Sequence, residues 1–290
     1  MKLIKPAFEI IEQQAGLEGI YKMIELAGRT CYKSEDRITE NSAKEFVDRL
    51  IKSGHTSVLE HGSIYLYIET DTEPSLMVKE IINFYKYNKY SHVNTKYILD
   101  KDQDSHTPLI IGYKYYISTN LRVCIENDRK EFLNPSLLCE PTEYHEKRVC
   151  VRYTSDIHFY KDCTRHRVFS WAIESTRFCN YIKQKFGSSI SFATPIWLKD
   201  EEQKEFKEDL KTIESIYFKW INKGWQPQQA AYFLIQGTKA EVIMTGFVSD
   251  YKHFFDLRSE ISKTGQPHPT VLELVEPLRQ EFIKRGYITE

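Results

Sequence analysis

Neither sign of charge is in excess in this 290-residue chain: 40 Lys and Arg stand against 41 Asp and Glu, a formal net charge of -1. Such a balance creates no long-range field to gather a polyanion, which argues against nucleic acid or an anionic membrane surface as partner. Long apolar runs are lacking too. None approaches the roughly 18 to 20 residues of a membrane helix, and the opening MKLIKPAFEI has neither the apolar core nor the small-residue cleavage site of a secretory leader. The six cysteines, at 31, 124, 139, 150, 163 and 179, show no paired spacing and no CxxC. Neither a disulfide framework nor a thiolate metal site is expected, and the expected setting is the cytoplasm, with reduced thiols. No repeat or low-complexity tract is present.

A chain of this length can bury a large core and by length alone forms one or two domains. Apolar residues recur with helical period over Leu17 to Ala27, Ser42 to Lys52, Glu201 to Lys223 and Pro269 to Arg285. Runs rich in β-branched and aromatic residues predict strands over Ser63 to Ile68, Ile110 to Ile117 and Arg148 to Thr154. A further helix is expected from Asn120 to Phe132. These readings support an α/β (α+β) globule.

The basic residues are concentrated locally. Arg165, His166, Arg167 and Arg177, with the hydroxyls of Ser170, Ser175 and Thr176, are interleaved with Val168, Phe169, Trp171, Ile173 and Phe178. A segment this apolar is expected to be partly buried, and buried arginines need anionic partners, so it reads as an anion site. The bland alternative is an i,i+3 ion pair of Glu174 with Arg177 on an amphipathic helix, the other arginines being solvated. On a helix at 100° per residue, Arg165 and Arg167 would diverge by about 200°, so they would serve different groups or different subunits.

Arg165-His166-Arg167, seven residues and then Ser175 resemble the RHR-x7-S signature of the flavin-dependent thymidylate synthases, as do the adjoining Glu174, Thr176, Arg177 and Phe178. Two further blocks agree with it. Ala27 to Tyr32, with Gly54-His55-Thr56-Ser57-Val58-Leu59-Glu60-His61, resembles the family's opening helix and GHxSxxEH segment. Trp225 to Ala230 leads through Met244 to Phe247 into Phe254-Phe255-Asp256-Leu257-Arg258, similar to the family's FFxLR ending. Gly54 reads physically as a helix stop, and His61 as either a site residue or a hydrogen-bonded structural histidine. His55 and His61 lack a third nearby ligand, so no metal is expected. Arg258, taken alone, could equally be a helix-surface arginine paired with Asp256 or Glu260.

The resemblance implies a single domain over 1–290 with a mixed or antiparallel sheet flanked by helices, and an insertion at about 70–147 lengthening one wall of the site. It implies a homotetramer with shared active sites. The implied reaction is reductive methylation of dUMP to dTMP, with methylenetetrahydrofolate as carbon donor, FAD as hydride carrier and NADPH as reductant. The flavin-binding residues carried over are Ser63, Arg165, His166, Arg167, Glu174, Phe247, Ser249 and His253. Those carried over for the nucleotide are Asp162, Arg165, Glu174, Ser175, Thr176, Arg177 and Arg258, with Arg258 the catalytic cation at the pyrimidine. Ser175 has no evident base partner and is expected to donate a hydrogen bond rather than act as a nucleophile. Ala231 and Ile235 stand where the family usually has Arg and Pro. This departure weakens the expected grip on the dUMP phosphate and leaves open a flavin- or nucleotide-binding relative with weakened or lost synthase activity.

Overall fold

The computed structural model describes residues 1–71, 73–99, 109–177, 179–182 and 187–289. In chain order the elements are β1 (Lys2–Ile4), β2 (Ala7–Ile11), α1 (Gly16–Tyr32), α2 (Ser42–Ser53), β3 (Ser63–Thr70), α3 (Leu76–Tyr87), β4 (His92–Leu99), β5 (Ile110–Asn120), α4 (Leu121–Glu126) and β6 (Arg148–Asp156). There follow α5 (Ile157–Cys163), β7 (Ser170–Ile173), β8 (Ser191–Ala193), α6 (Gln203–Asn222), α7 (Pro227–Ala230), β9 (Lys239–Phe247), α8 (Val248–Arg258) and α9 (Pro269–Lys284). The fold is α/β, with antiparallel strand pairs and flanking helices. It divides into two compact units, one of Met1–Ile11, Ala27–Ile38 and Cys150–Glu290, the other of Glu12–Leu26 and Thr39–Val149.

In the first unit the sheet order is β2-β6-β9-β7, and β1 pairs in parallel with β8. β9 holds Val242, Ile243, Met244 and Thr245 in succession, all buried, as an interior strand covered on both faces requires. β7 lies at the sheet's edge and runs antiparallel to β9, with Ser170 opposite Thr245 and Ile173 opposite Val242. α9 begins with Pro269 at its first turn and buries Val271, Leu274, Val275, Leu278 and Phe282, the stripe of an amphipathic helix. Leu210 and Tyr217 of α6 pack with Phe192 and Ile190 in a second cluster.

The other unit is built on the three-stranded order β3-β5-β4, antiparallel throughout. Ile20 and Ile24 of α1, Val47 of α2, Ile64, Leu66 and Ile117 form one core with Ile82, Tyr85, Cys124 and Phe132. Residues 70–147 thus supply two of the sheet's three strands and part of its core. α2 ends at Gly54, whose φ of 71° is the left-handed stop that glycine adopts without a Cβ clash. The helix expected from Asn120 to Phe132 is shorter. Asn120 caps it through Val123 N–H, but it ends at Glu126, because Asp128 takes a φ of 51° and diverts the chain before a short turn at Glu131–Leu133.

All six cysteines are free thiols. Among the described residues no helix is long and apolar enough to cross a membrane, and no group of three His, Cys, Asp or Glu side chains is placed to hold a metal.

Candidate functional site

The signature segment is not helical where it carries its arginines. Asp156 caps α5 by accepting Phe159 N–H at 2.8 Å, and α5 stops at Cys163. Arg165, His166 and Arg167 follow in a turn in which His166 N–H bonds Cys163 O at 3.0 Å. The wheel geometry drawn from a helix therefore does not apply; the turn sets where the two arginines lie. Both are exposed, and the burial expected of the segment falls instead on Phe169, at 4%, with Ser170 and Glu174, while Val168 is exposed. Phe169 packs edge-on against Trp171, Tyr251 and Phe254.

Arg258 closes α8 and reaches back across 92 residues of sequence. Its Nε donates to His166 Nε2 at 3.1 Å, and one Nη donates to the backbone oxygen of Asp162 at 3.2 Å. The expected alternative, a surface pairing with Asp256 or Glu260, is absent among the described residues. Because an arginine Nε only donates, His166 must present a lone pair at Nε2 and carry its proton on Nδ1. Burial, then the charge of Arg258 and the neighbouring His253 lower the His166 pKa to about 4. The ring is also braced by Phe254, edge-on at 4.9 Å, and its backbone oxygen accepts Trp171 Nε1–H at 3.3 Å.

Asp162 holds this corner from α5. Its carboxylate lies 3.8 Å from Arg165 and 3.7 Å from His158. The ring of His158 in turn lies tilted by 39° against that of His268, centroids 3.9 Å apart, and His268 accepts Thr270 N–H at the start of α9. His158 was not legible as part of this corner, having only its i,i+4 spacing from Asp162 as a signal.

Glu174 follows β7 and is buried. Its Oε2 accepts from Lys239 Nζ at 2.8 Å and from Glu241 N–H at 3.0 Å, and Lys33 Nζ lies 2.7 Å from Glu241 Oε1. This replaces the i,i+3 pair with Arg177: an edge strand puts Glu174 beside β9, whereas Arg177 lies exposed and donates Nε–H to Gln228 Oε1 at 2.8 Å. Burial works against the charge of Lys33, yet Glu174 and Glu241 outweigh it and raise its pKa; burial likewise opposes the charge of Glu241, and Lys239 with Lys33 brings its pKa down. Lys33, Lys239 and Glu241 escaped the sequence reading. Only the i,i+2 spacing of Lys239 and Glu241 hinted at a shared strand face.

Ser175 N–H bonds Cys31 O at 2.9 Å, and its Oγ accepts Arg177 N–H at 3.3 Å, so Ser175 and Thr176 belong to a turn leaving β7. Phe178 lies outside the described residues. Phe247 is buried at the end of β9, its N–H bonded to Asp250; Ser249 and His253 are exposed on α8, His253 with its ring 6.2 Å from that of His166. Ser63 belongs to the other unit, where it opens β3 and exchanges two backbone hydrogen bonds with the Gln13 amide. Asp162, Arg165, His166, His253 and Arg258 are thus brought into one corner, and Glu174 into a separate ionic cluster. Ala231 ends α7, three residues from the Gln228 that holds Arg177.

Comparison with known proteins agrees with the signature. A flavin-dependent thymidylate synthase of Mycolicibacterium vanbaalenii is 33% identical over 93 residues, 31% of this chain and 36% of that protein. One from Pyrococcus furiosus is 23% identical over 172 residues, 59% of this chain and 61% of that protein. The chain thus spans between about a third and three fifths of the length of these relatives. A solved structure, a UMP/dUMP methylase PolB from Streptomyces cacaoi bound with 5-Br dUMP, superposes with a TM-score of 0.43 at 13% identity over 99% of this chain and 92% of that one, a distance at which the likeness carries no functional argument. The family model for thymidylate synthase complementing protein matches residues 15–138 and 140–268, most of the chain, and the chain belongs to that family.

Proposed function

We propose that this protein catalyses the reductive methylation of dUMP to dTMP, taking its one-carbon unit from methylenetetrahydrofolate, with FAD as hydride carrier and NADPH as reductant. It would do so as one synthase domain in a cytoplasmic homotetramer with shared sites. The observation that carries this reading is the corner in which the RHR turn and the distal FFDLR block meet through Arg258 and His166. The donors available there fit a flavin dinucleotide. Arg165 and Arg167 are exposed cations on one turn, and among the described residues Arg165 has only a 3.8 Å pairing with Asp162, so both can turn their planar forks to oxyanions. When bound, FAD supplies the hydride chemistry; the protein supplies position and electrostatics.

Uracil must become electron-rich before it can attack a one-carbon unit, and a fixed cation at its imide stabilises the charge that develops. Arg258 meets that requirement, since two of its donors are already anchored. Ser175 Oγ accepts a backbone N–H and has no base beside it among the described residues, so its hydroxyl proton serves a nucleotide oxygen and no acyl-type nucleophile is formed. Phe247, Ser249, His253 and Ser63 are assigned to the flavin, and Thr176, Arg177 and Glu174 to the nucleotide. The assignment of Glu174 requires its carboxylate to act from within the Lys239 pair.

The test is direct: purified protein should be yellow and should form dTMP from dUMP, methylenetetrahydrofolate and NADPH. Flavin binding without dTMP would favour a relative that has lost synthase activity; a colourless protein that takes up no added FAD sinks both readings.

A further inference from the structure

We infer that His166 is a positioning residue: through its Nε2 lone pair it holds the side edge of the Arg258 guanidinium, leaving the end edge of the fork for the nucleotide base. This rests on the proposed function and adds to it a division of labour inside the RHR signature. Arg165 and Arg167 point their charges outward, whereas the histidine between them works inward on an arginine from another block.

Guanidinium has five N–H donors in a rigid plane. In Arg258, Nε and one Nη face His166 Nε2 and Asp162 O, so the plane of the fork is fixed by two acceptors on different residues. The other Nη, and the second hydrogen of the first, remain for a bidentate contact. The acceptor is itself immobile. His166 N–H is tied to Cys163 O, its carbonyl to Trp171 Nε1–H, and its ring lies edge-on to Phe254. The charged and titratable groups facing the ring are Arg258 and His253 from α8, with Asp162 of α5 next to them. A protonated imidazole could not accept from Nε, and the surroundings oppose protonation down to about pH 4, so the clamp persists across the working range of pH. Among the described residues it also leaves Nδ1–H as the one donor of His166 open to another group.

Two measurements test this. Long-range proton–nitrogen spectra of the protein labelled with ¹⁵N-histidine, His166 being identified by its loss in His166→Gln, should show the Nδ1–H tautomer and no titration until about pH 4. In Arg258→Leu, which removes both the charge and the Nε donor, that resonance should titrate higher. A His166 ring that titrates in the ordinary histidine range in the native protein overturns the clamp.

In single-turnover dTMP formation, His166→Leu should lose about 10²-fold per bound flavin, the cost of a misplaced catalytic group. His166→Gln, whose side-chain oxygen can accept from Nε, should recover most of that loss. Equal activity of the two variants, or loss of flavin and methylation in equal proportion in both, overturns the positioning role. Should the unaltered protein form no dTMP, the proposed function fails, and the ring titration alone still decides the clamp.

Discussion

Adding one methyl group at Gly246 should unsettle the site from behind. A Cβ built there lies 2.3 Å from Cδ1 and 2.5 Å from Cε1 of Phe169, about an ångström or more inside the 3.5–4.0 Å at which carbon atoms meet comfortably. The ring has no space to retreat, because it is buried and wedged among Trp171, Tyr251 and Phe254, with centroids at 6.0, 4.8 and 5.7 Å. Overpacking of this kind costs about 1–3 kcal/mol. At roughly 2–4 °C per kcal/mol for a chain of this size, Gly246→Ala should lower Tm by roughly 2–12 °C. The strain is transmitted to the site, since Phe169 N–H and Trp171 Nε1–H both bond His166 O, at 3.4 and 3.3 Å. Thermal unfolding followed by circular dichroism measures the loss. A double-mutant cycle with Phe169→Leu assigns it, because the smaller side chain should absorb the methyl and shrink the effect of Gly246→Ala by about 1 kcal/mol or more. A Gly246→Ala protein that melts with the parent, or that loses as much in the Phe169→Leu background, would refute the packing argument.

Arg258→Lys keeps a charge but loses Nε and the planar fork, so dTMP formation should fall on the order of 10²-fold while flavin reduction by NADPH persists; equal loss in both half-reactions, measured separately without oxygen, would make Arg258 a flavin-site or structural residue. Ala231→Arg should tighten dUMP by roughly 1.5–3 kcal/mol, the worth of a charge-assisted phosphate contact, and calorimetry with no gain in a folded variant would mean that the phosphate is held elsewhere. Glu241 has a lowered pKa in the folded chain, so its contribution to stability is complete above the ordinary carboxylate value and lost as pH falls through the folded one. Glu241→Gln should therefore lower Tm at neutral pH, with the gap to the parent closing in acid; a gap that is constant with pH would show that the cluster's charge is immaterial.

The elements that periodicity could reveal are those whose burial repeats locally. α1, α2, α6 and α9 carry apolar stripes three and four residues apart, and β3, β5 and β6 are dense in β-branched and aromatic residues. β9 escaped because a strand buried on both faces has no alternation, and β1 and β8, three residues each, are strands only because each has the other beside it. The signature and the FFDLR block could be read as two separate clusters of donors, because side-chain type and spacing are properties of the chain itself. Which acceptor each donor meets could not. Arg258 finds His166 across 92 residues and Glu174 finds Lys239 across 65, while its neighbour Arg177 goes to Gln228. A helical reading pairs Glu174 with Arg177, but β7 ends at Ile173, Glu174 N–H bonds Glu241 O, and the chain turns at Ser175 and Thr176, so no helix forms to bring the two side chains together. Sequence by itself determined the family, the helices with an apolar stripe and the inventory of cations. Tertiary structure alone decided the pairings, because a hydrogen bond between distant segments depends on which strands pair and in what register, which no local pattern encodes.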